Sequence, residues 1–209
     1  MSTLNYRTLA RGIIETLINA MYLMQNESKE LYDSFVEYSL RHEKNLMKLI
    51  ERNIEARGFE SPIETRMKKS INATFQKSGV SIEQVNEKNR SPWGGTIYRK
   101  LKALKLEETY LGLFGGPSHS VHGNWQDIFT NDLEYRNRCF YSANKHQRVR
   151  PQLLGAIAFF VIKTGSMYSI SRIRPCNERK TILKRLVELR KISKEIIYAH
   201  EKFLMDRQE

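Results

Sequence analysis

Apolar residues recur at intervals of three and four along most of this chain, which is the spacing of helices that bury one face. The pattern predicts helices over 3–25, 28–57, 62–77, 96–114, 152–170 and 177–206. No stretch alternates apolar and polar residues convincingly enough to predict a strand. We therefore expect an all-α protein, a single domain over 1–209 built as a bundle of about five to seven helices. The first two helices are expected to form a long antiparallel hairpin.

Several of the predicted helix boundaries carry recognisable signals. Ser28 can cap the start of the second helix, and Gly58 can end that helix in a left-handed conformation. Ser61 and Glu64 stand three residues apart, with a proline at the first helical position between them, which is the pattern of a capping box. The segment 134–150 is polar and aromatic without a clean period, so we expect a long connection there.

The first predicted helix combines a broad apolar surface with one polar stripe. Its apolar residues cover so much of the circumference that the helix is expected to be buried. Arg7, Arg11, Glu15 and Asn19 nevertheless follow one another at steps of four. Because an isolated buried charge costs several kcal/mol, these side chains must be paired or face a polar cavity. A structural Arg11–Glu15 ion pair and a functional site both remain open.

The charge balance indicates the class of partner. Lysine and arginine outnumber aspartate and glutamate by 35 to 23, giving a net charge of +12 and a pI near 9.7. Such a balance favours a polyanion, nucleic acid above all. Five basic residues, on the outer face of the 96–114 helix and in a later basic group, are expected to form a phosphate-binding surface. They are Lys100, Lys102, Lys105, Arg148 and Arg150.

Composition places the protein among soluble globular chains, with 40% hydrophobic and 28% charged residues. The longest apolar run, 153–162, is shorter than the roughly 20 residues that a membrane span needs. No signal-peptide pattern opens the chain. We expect a cytoplasmic protein without a membrane partner. Cys139 and Cys176 lack the paired spacing of a zinc site, and we assign them no role.

Candidate chemistry concentrates in the stretch 113–125, Leu-Phe-Gly-Gly-Pro-Ser-His-Ser-Val-His-Gly-Asn-Trp. Its Gly-Gly-Pro sequence should break the preceding helix, and a helix restarting there would place Ser118 and His122 on one face. No His-Glu-x-x-His motif, cysteine cluster or phosphate-cradling glycine loop accompanies them, so neither a metal nor a cofactor is expected. His122 can be a chemical group or a buried structural histidine, and both interpretations remain open.

Metal-free RNA cleavage suits these residues and the positive charge together. It needs a base that takes a proton from a 2′-hydroxyl and a cation that stabilises the charge building on the phosphate. His122 would supply the base and Arg11 the cation, with Glu15 holding Arg11 in place. This hypothesis requires the first helix to lie against the segment that carries His122.

Two motifs in the chain are shared with a known family. The first is an early Arg-x-x-x-Glu followed by an aromatic-aliphatic pair, here Arg11-Gly-Ile-Ile-Glu15 and Tyr22-Leu23. The second is a later Tyr…Ser-x-x-x-His-Gly segment, here Tyr110 and Ser118-His-Ser-Val-His122-Gly123. In both, the chain resembles the HEPN-type (higher eukaryotes and prokaryotes nucleotide-binding) helical domains, in an uncharacterised bacterial branch.

The resemblance implies an α-helical bundle and, in active members, a metal-independent ribonuclease of toxin–antitoxin or phage-defence systems. It further implies RNA as the substrate, a homodimer, and an antitoxin or another protein as a partner. The catalytic residues would be His122, Arg11, Glu15 and Ser118. The strongly apolar 152–170 helix also favours a homodimer.

The chain departs from the family pattern at one point. Active members carry Arg-x(4–6)-His on one helix, whereas no arginine lies four to six residues before His122. Arg11 would therefore have to supply the cation from a different helix. The alternative function is a non-catalytic helical module that binds RNA, a nucleotide or a partner protein.

Overall fold

The computed structural model describes residues 4–87, 92–115, 125, 128–129, 133–143 and 151–206. Six α-helices of that part of the chain are numbered here in order: α1 Leu4–Gln25, α2 Lys29–Arg57, α3 Pro62–Ser78, α4 Ile97–Ala103, α5 Pro151–Arg172 and α6 Asn177–Met205. A 3₁₀ turn, Glu107–Thr109, and a π-helical turn, Leu111–Gly115, follow α4. Strands β1 (Leu133–Arg136) and β2 (Cys139–Ser142) form a small hairpin. The predicted all-α class is confirmed.

The chain divides into two compact units. Unit 1 comprises Met1–Gln25 and Ile97–Glu209, and unit 2 comprises Asn26–Thr96. The sequence predicted one domain in which α1 pairs with α2 as a hairpin. Within the units, α1 packs against α4 and α5, and α2 packs against α3; the single domain and the α1–α2 hairpin stay predictions.

The core of unit 1 is organised around α1. Ile14, Ile18 and Met21 lie at helical spacing on one face of α1 and are fully buried. Burying such a side chain stabilises a fold by about 1.5–3 kcal/mol. The buried residues that complete this cluster come from α4, the π-helical turn and α5: Leu101, Leu104, Leu113, Phe114 and Phe160. This packing fixes α1 between α4 and α5.

Helix α5 is only partly buried, although it is strongly apolar. Phe160 and Ile162 are buried, whereas Leu154, Val161 and Ile170 are exposed. By length and composition α5 could cross a membrane, a weak criterion that the core helices of soluble proteins also meet. The helix therefore presents an apolar surface in addition to its packed face.

Unit 2 is held by the caps that the sequence predicted. The Ser28 hydroxyl accepts a hydrogen bond from the Leu31 N–H at 3.1 Å, and Gly58 ends α2 with a φ of 80°. Ser61 and Glu64 form the full capping box, and Glu64 is also paired with the Arg57 guanidinium. Hydrogen bonds from Ser61 and Arg57 lower the pKa of Glu64 to about 2. The α2–α3 core is Leu40, Met47, Ile50, Ile71, Phe75 and Val85.

The predicted 96–114 helix is interrupted after α4. The Leu106 N–H bonds the Leu101 carbonyl at 2.8 Å, and the Lys105 N–H bonds the Lys102 carbonyl at 3.0 Å. These two bonds are the Schellman pattern that ends a helix. It requires a left-handed residue, here Lys105 with a φ of 56°. Glycine usually occupies that position, and because lysine stands there, the sequence contains no recognisable signal for the end of the helix.

The segment predicted as a connection contains a β-hairpin instead. Strands β1 and β2 pair antiparallel, with Leu133 opposite Ser142 and Arg136 opposite Cys139. Asn137 and Arg138 connect them, and both have positive φ values, of 50° and 62°. Two-residue hairpin turns of type I′ require this conformation, and Asn-Gly is their usual sequence. The expectation that the chain has no strand was therefore wrong, because arginine stands at the glycine position.

Candidate functional site

The polar stripe of α1 marks the candidate site. Arg11, Glu15 and Asn19 are all half-buried, and their spacing of four places them along one face of the helix. They lie beside the apolar row of Ile14 and Ile18, which fixes α1 in the core. The stripe is therefore held at a set orientation toward the elements that pack on α1.

Helix α4 adds a lysine to this stripe. Lys100 is only 3% exposed, and its Nζ donates a hydrogen bond to Asn19 Oδ1 at 2.8 Å. The same nitrogen lies 5.8 Å from the centroid of the Tyr22 ring. The sequence placed Lys100 on the outer face as a nucleic-acid contact, and the structure corrects this. The side chain lies on the buried face of α4 beside Leu101, where the amide oxygen of Asn19 accepts a hydrogen bond from its ammonium group.

The surroundings of Lys100 change its proton affinity. Burial lowers the pKa of Lys100 to about 8, and the negative charge of Glu15 acts in the opposite direction. Burial disfavours an ammonium ion because the group loses water, whereas a nearby carboxylate favours it. Lys100 therefore loses its proton closer to neutral pH than an ordinary lysine does.

A second contact fixes the register of α1 on α4. Gln25 Nε2 donates to the carbonyl oxygen of Ala103 at 2.9 Å. Together with the Lys100–Asn19 bond, it ties two points of α1 to two points of α4. The polar stripe and the buried lysine are thus positioned by the same pair of helices.

Arg11 lies at the other end of the stripe, beside the π-helical turn. Its guanidinium carbon is 5.8 Å from the centroid of the Phe114 ring. Phe114 is buried and stacks on Tyr110 with the ring centroids 5.4 Å apart. Arg11 therefore lies where the described chain leads into the stretch that contains Ser118 and His122.

The remaining predicted site residues divide into two groups. Lys102 and Lys105 are exposed, as the sequence predicted. Ser118, His122, Arg148 and Arg150 lie outside the described residues. Among the residues that are described, no three His, Cys, Asp or Glu side chains are grouped closely enough to hold a metal ion. The arrangement brings together Arg11, Glu15, Asn19 and Lys100.

Two contributions were missed from the sequence. The pairing of Lys100 with Asn19 was signalled by the stripe itself, since a buried polar face needs a partner on the neighbouring helix. Cys176, to which no role was assigned, caps α6, because its Sγ accepts a hydrogen bond from the Arg179 N–H at 3.4 Å. Serine is the usual residue at such a position, and cysteine gives little sequence signal.

Comparison with known proteins identifies a family. The model of a family of unknown function (DUF5677) matches residues 4–138. That range contains α1 to α4, including the whole described site, while α5 and α6 lie beyond it. No curated protein and no solved structure matches the chain significantly.

Proposed function

The chain belongs to DUF5677, and because that family has no known function, we propose one from the site: the protein binds RNA and cleaves it without a metal ion. The proposed catalytic group consists of Arg11, Glu15, Ser118 and His122. Ser118, His122 and Glu15 enter from the sequence, and Arg11 from the sequence and from its contact with Phe114.

The position of Arg11 carries the proposal. Metal-free cleavage requires α1 to lie against the segment that bears His122. Arg11 contacts Phe114, which begins the Phe-Gly-Gly-Pro-Ser run that leads to Ser118. A cation is thereby held next to the entry of that segment, with Glu15 one turn further along α1.

The proposed reaction proceeds through the 2′-oxygen of the RNA. His122 takes the proton of the 2′-hydroxyl, and the 2′-oxygen then attacks the neighbouring phosphorus. The bond from phosphorus to the 5′-oxygen breaks, so that the products end in a 2′,3′-cyclic phosphate and a 5′-hydroxyl, the latter protonated from solvent. Arg11 stabilises the negative charge that builds on the phosphate, Glu15 orients Arg11, and the Ser118 hydroxyl donates a hydrogen bond to a phosphate oxygen.

The distribution of charge supports a polyanionic partner for unit 1. Lysine and arginine outnumber aspartate and glutamate there by 23 to 12, but only by 12 to 11 in unit 2. Almost the whole net charge of the chain therefore belongs to the unit that carries the site. Such a concentration of charge attracts nucleic acid and speeds its association.

The absence of a nearby arginine before His122 favours a second candidate function. In this function the protein is a non-catalytic module that binds RNA, a nucleotide or a partner protein at the same face of α1. Arg11 and Lys102 would then contact phosphates without any reaction. The two candidates share a polyanionic partner and differ in whether RNA is cleaved.

The biological setting follows from the resemblance to HEPN-type domains. We place the protein in the cytoplasm, in a toxin–antitoxin or phage-defence system, as a homodimer with an antitoxin or another protein as partner. Leu154 and Val161 are exposed and, seven residues apart, lie on one side of α5; they support a homodimer, since exposed apolar patches mark interaction surfaces.

RNA binding is tested by its dependence on salt. Fluorescence anisotropy with labelled single-stranded RNA should show binding that weakens steeply between about 50 and 200 mM salt, because bound lysines and arginines release counterions from the phosphates. Lys102→Ala and Lys105→Ala should each reduce the salt dependence. An affinity that does not depend on the salt concentration, or no binding at low salt, would contradict both candidate functions.

A further inference from the structure

The β-hairpin has one aromatic face. Tyr135 and Phe140 are directly opposite each other in the β1–β2 register, so that their side chains point to the same side of the sheet. Their ring centroids are 4.9 Å apart. Tyr141 belongs to the other face, together with the Glu134–Arg136 ion pair. The hairpin is thus amphipathic, with the two tyrosines on opposite sides.

Two further rings extend this face. Trp125 packs edge-on against Phe140 with the centroids 5.0 Å apart, and Phe129 stacks on Trp125 at 6.0 Å. We name Trp125, Phe129, Tyr135 and Phe140 the aromatic face. Their exposed fractions lie between 41% and 57%, although aromatic rings that contact one another usually form a buried core. Half of their surface is open to solvent.

A cation is held at the tip of the same hairpin. Arg138 adopts a φ of 62° in the two-residue turn, a position that glycine occupies without strain. The turn keeps an arginine at some cost to local stability, and Arg138 is exposed at the tip of the hairpin. Unfavourable backbone at an exposed charged residue is a feature that often accompanies function.

We infer that the aromatic face binds single-stranded RNA by stacking of its bases, with Arg138 contacting the phosphate backbone; this inference rests on the proposed function. Every base has a flat surface that can stack on an aromatic ring, so such a face binds RNA with little sequence preference. On the same side of the hairpin, Leu133 is aliphatic, so rings outnumber aliphatic side chains there. The rings belong to the unit with the large positive charge, which favours RNA over an apolar protein segment.

Tryptophan fluorescence tests the inference directly. The chain has two tryptophans, and Trp93, which is 6% exposed in unit 2, can be replaced by phenylalanine so that Trp125 alone reports. The probe is a 2′-O-methyl oligouridylate, which lacks the 2′-hydroxyl and therefore cannot be cleaved. Addition of this oligonucleotide should quench the fluorescence of Trp125 until the signal saturates. The Kd from this titration should equal the Kd that anisotropy gives for the protein that retains Trp93.

Matched variants separate stacking from general attraction. Tyr135→Leu should weaken binding by about tenfold, because one stacking ring is lost, whereas Tyr141→Leu on the opposite face should leave the Kd unchanged. Arg138→Gly should relieve the left-handed strain and keep or raise the Tm, yet weaken binding. A structural role for Arg138 would move the Tm and the affinity in the same direction.

The possible results distinguish failure of this inference from failure of the proposed function. Salt-dependent RNA binding without quenching of Trp125, and with equal effects of Tyr135→Leu and Tyr141→Leu, would overturn the inference and leave the proposed function standing. An absence of binding at low salt would overturn both. Quenching only by a protein partner, with RNA inert, would assign the face to protein recognition and contradict the inference.

Discussion

Lys100 shows how one residue can be misassigned by a correct helical pattern. The period of three and four placed α4 correctly, but the three lysines of that stretch were all assigned to solvent. Lys100 is buried, like its neighbour Leu101. Its burial is possible because the Asn19 side chain of α1 accepts a hydrogen bond from the ammonium group. A pattern of apolar residues cannot identify a lysine whose partner lies on a helix some 80 residues away in sequence.

Lys100 should make stability depend on pH in a defined window. Its pKa is about 8 in the folded protein, whereas the ordinary pKa of a lysine is 10.5, so the unfolded chain binds more protons between these values. Stability should therefore rise with pH from about 8 to 10.5, by at most about 3 kcal/mol at 1.36 kcal/mol per pKa unit. Below pH 8 the lysine is charged in both states, and this contribution is absent.

Urea unfolding of the wild type and Lys100→Met across pH 7 to 11 measures this effect. As the pH rises from about 8 to 10.5, the free energy of unfolding of the wild type should increase relative to that of Lys100→Met. Lys102→Met is the control, because it removes an exposed lysine of the same helix. It shows how much of the effect comes from the loss of a positive charge rather than from the burial of Lys100. A difference that stays flat for Lys100→Met would show that the ammonium group is not buried.

At the scale of elements, the caps were predictable and the unusual turns were not. Ser28, Gly58 and the Ser61–Glu64 capping box use the residues that such positions favour, and all formed as expected. The end of α4 and the turn of the hairpin use Lys105 and Arg138 in left-handed conformations instead. Because lysine and arginine rarely adopt positive φ, the sequence concealed both the break in the 96–114 helix and the two strands.

The left-handed position of Lys105 gives a test of the α4 boundary. Lys105→Gly should stabilise the protein by up to about 1 kcal/mol, since an L-residue in this conformation costs about 1–2 kcal/mol and the greater entropy of the unfolded glycine offsets part of the gain. Lys102→Gly, inside α4, should destabilise it by about 1 kcal/mol. Denaturant unfolding of both variants measures whether each change raises or lowers the free energy of unfolding. Equal changes in the two variants would argue against a helix end at this position.

At the scale of the whole molecule, the sequence predicted the all-α class but not which helices cover the buried face of α1. The apolar row of Ile14, Ile18 and Met21 packs against α4 and α5, which come much later in the chain. Periodicity identifies a buried face but does not identify the helix that covers it.

The positive net charge is concentrated in one of the two units. The net charge of the chain is +12, and almost all of this excess of lysine and arginine over aspartate and glutamate belongs to unit 1. The α1 stripe, the buried Lys100 and the aromatic face of the hairpin are all parts of that unit. We therefore propose that RNA binds unit 1 as a whole, with cleavage at Arg11 and His122 and base stacking at the hairpin.

Cleavage of single-stranded RNA in the presence of EDTA tests this account most directly. The proteins to compare are the wild type, Arg11→Ala, His122→Ala and Arg66→Ala, the last of which removes one exposed positive charge from unit 2. Melting curves recorded in parallel show whether each variant is folded. Analysis of the product ends by mass spectrometry identifies the reaction.

The account predicts that the wild type leaves 2′,3′-cyclic phosphate ends despite EDTA, and that Arg66→Ala does the same at an equal rate. Arg11→Ala and His122→Ala should each reduce the rate by about 100-fold or more, because a base and a charge-stabilising cation each contribute at least that much. Their melting temperatures should stay close to that of the wild type. A wild type that cleaves nothing, beside a His122→Ala variant that melts far lower, would contradict the account and make His122 a structural residue.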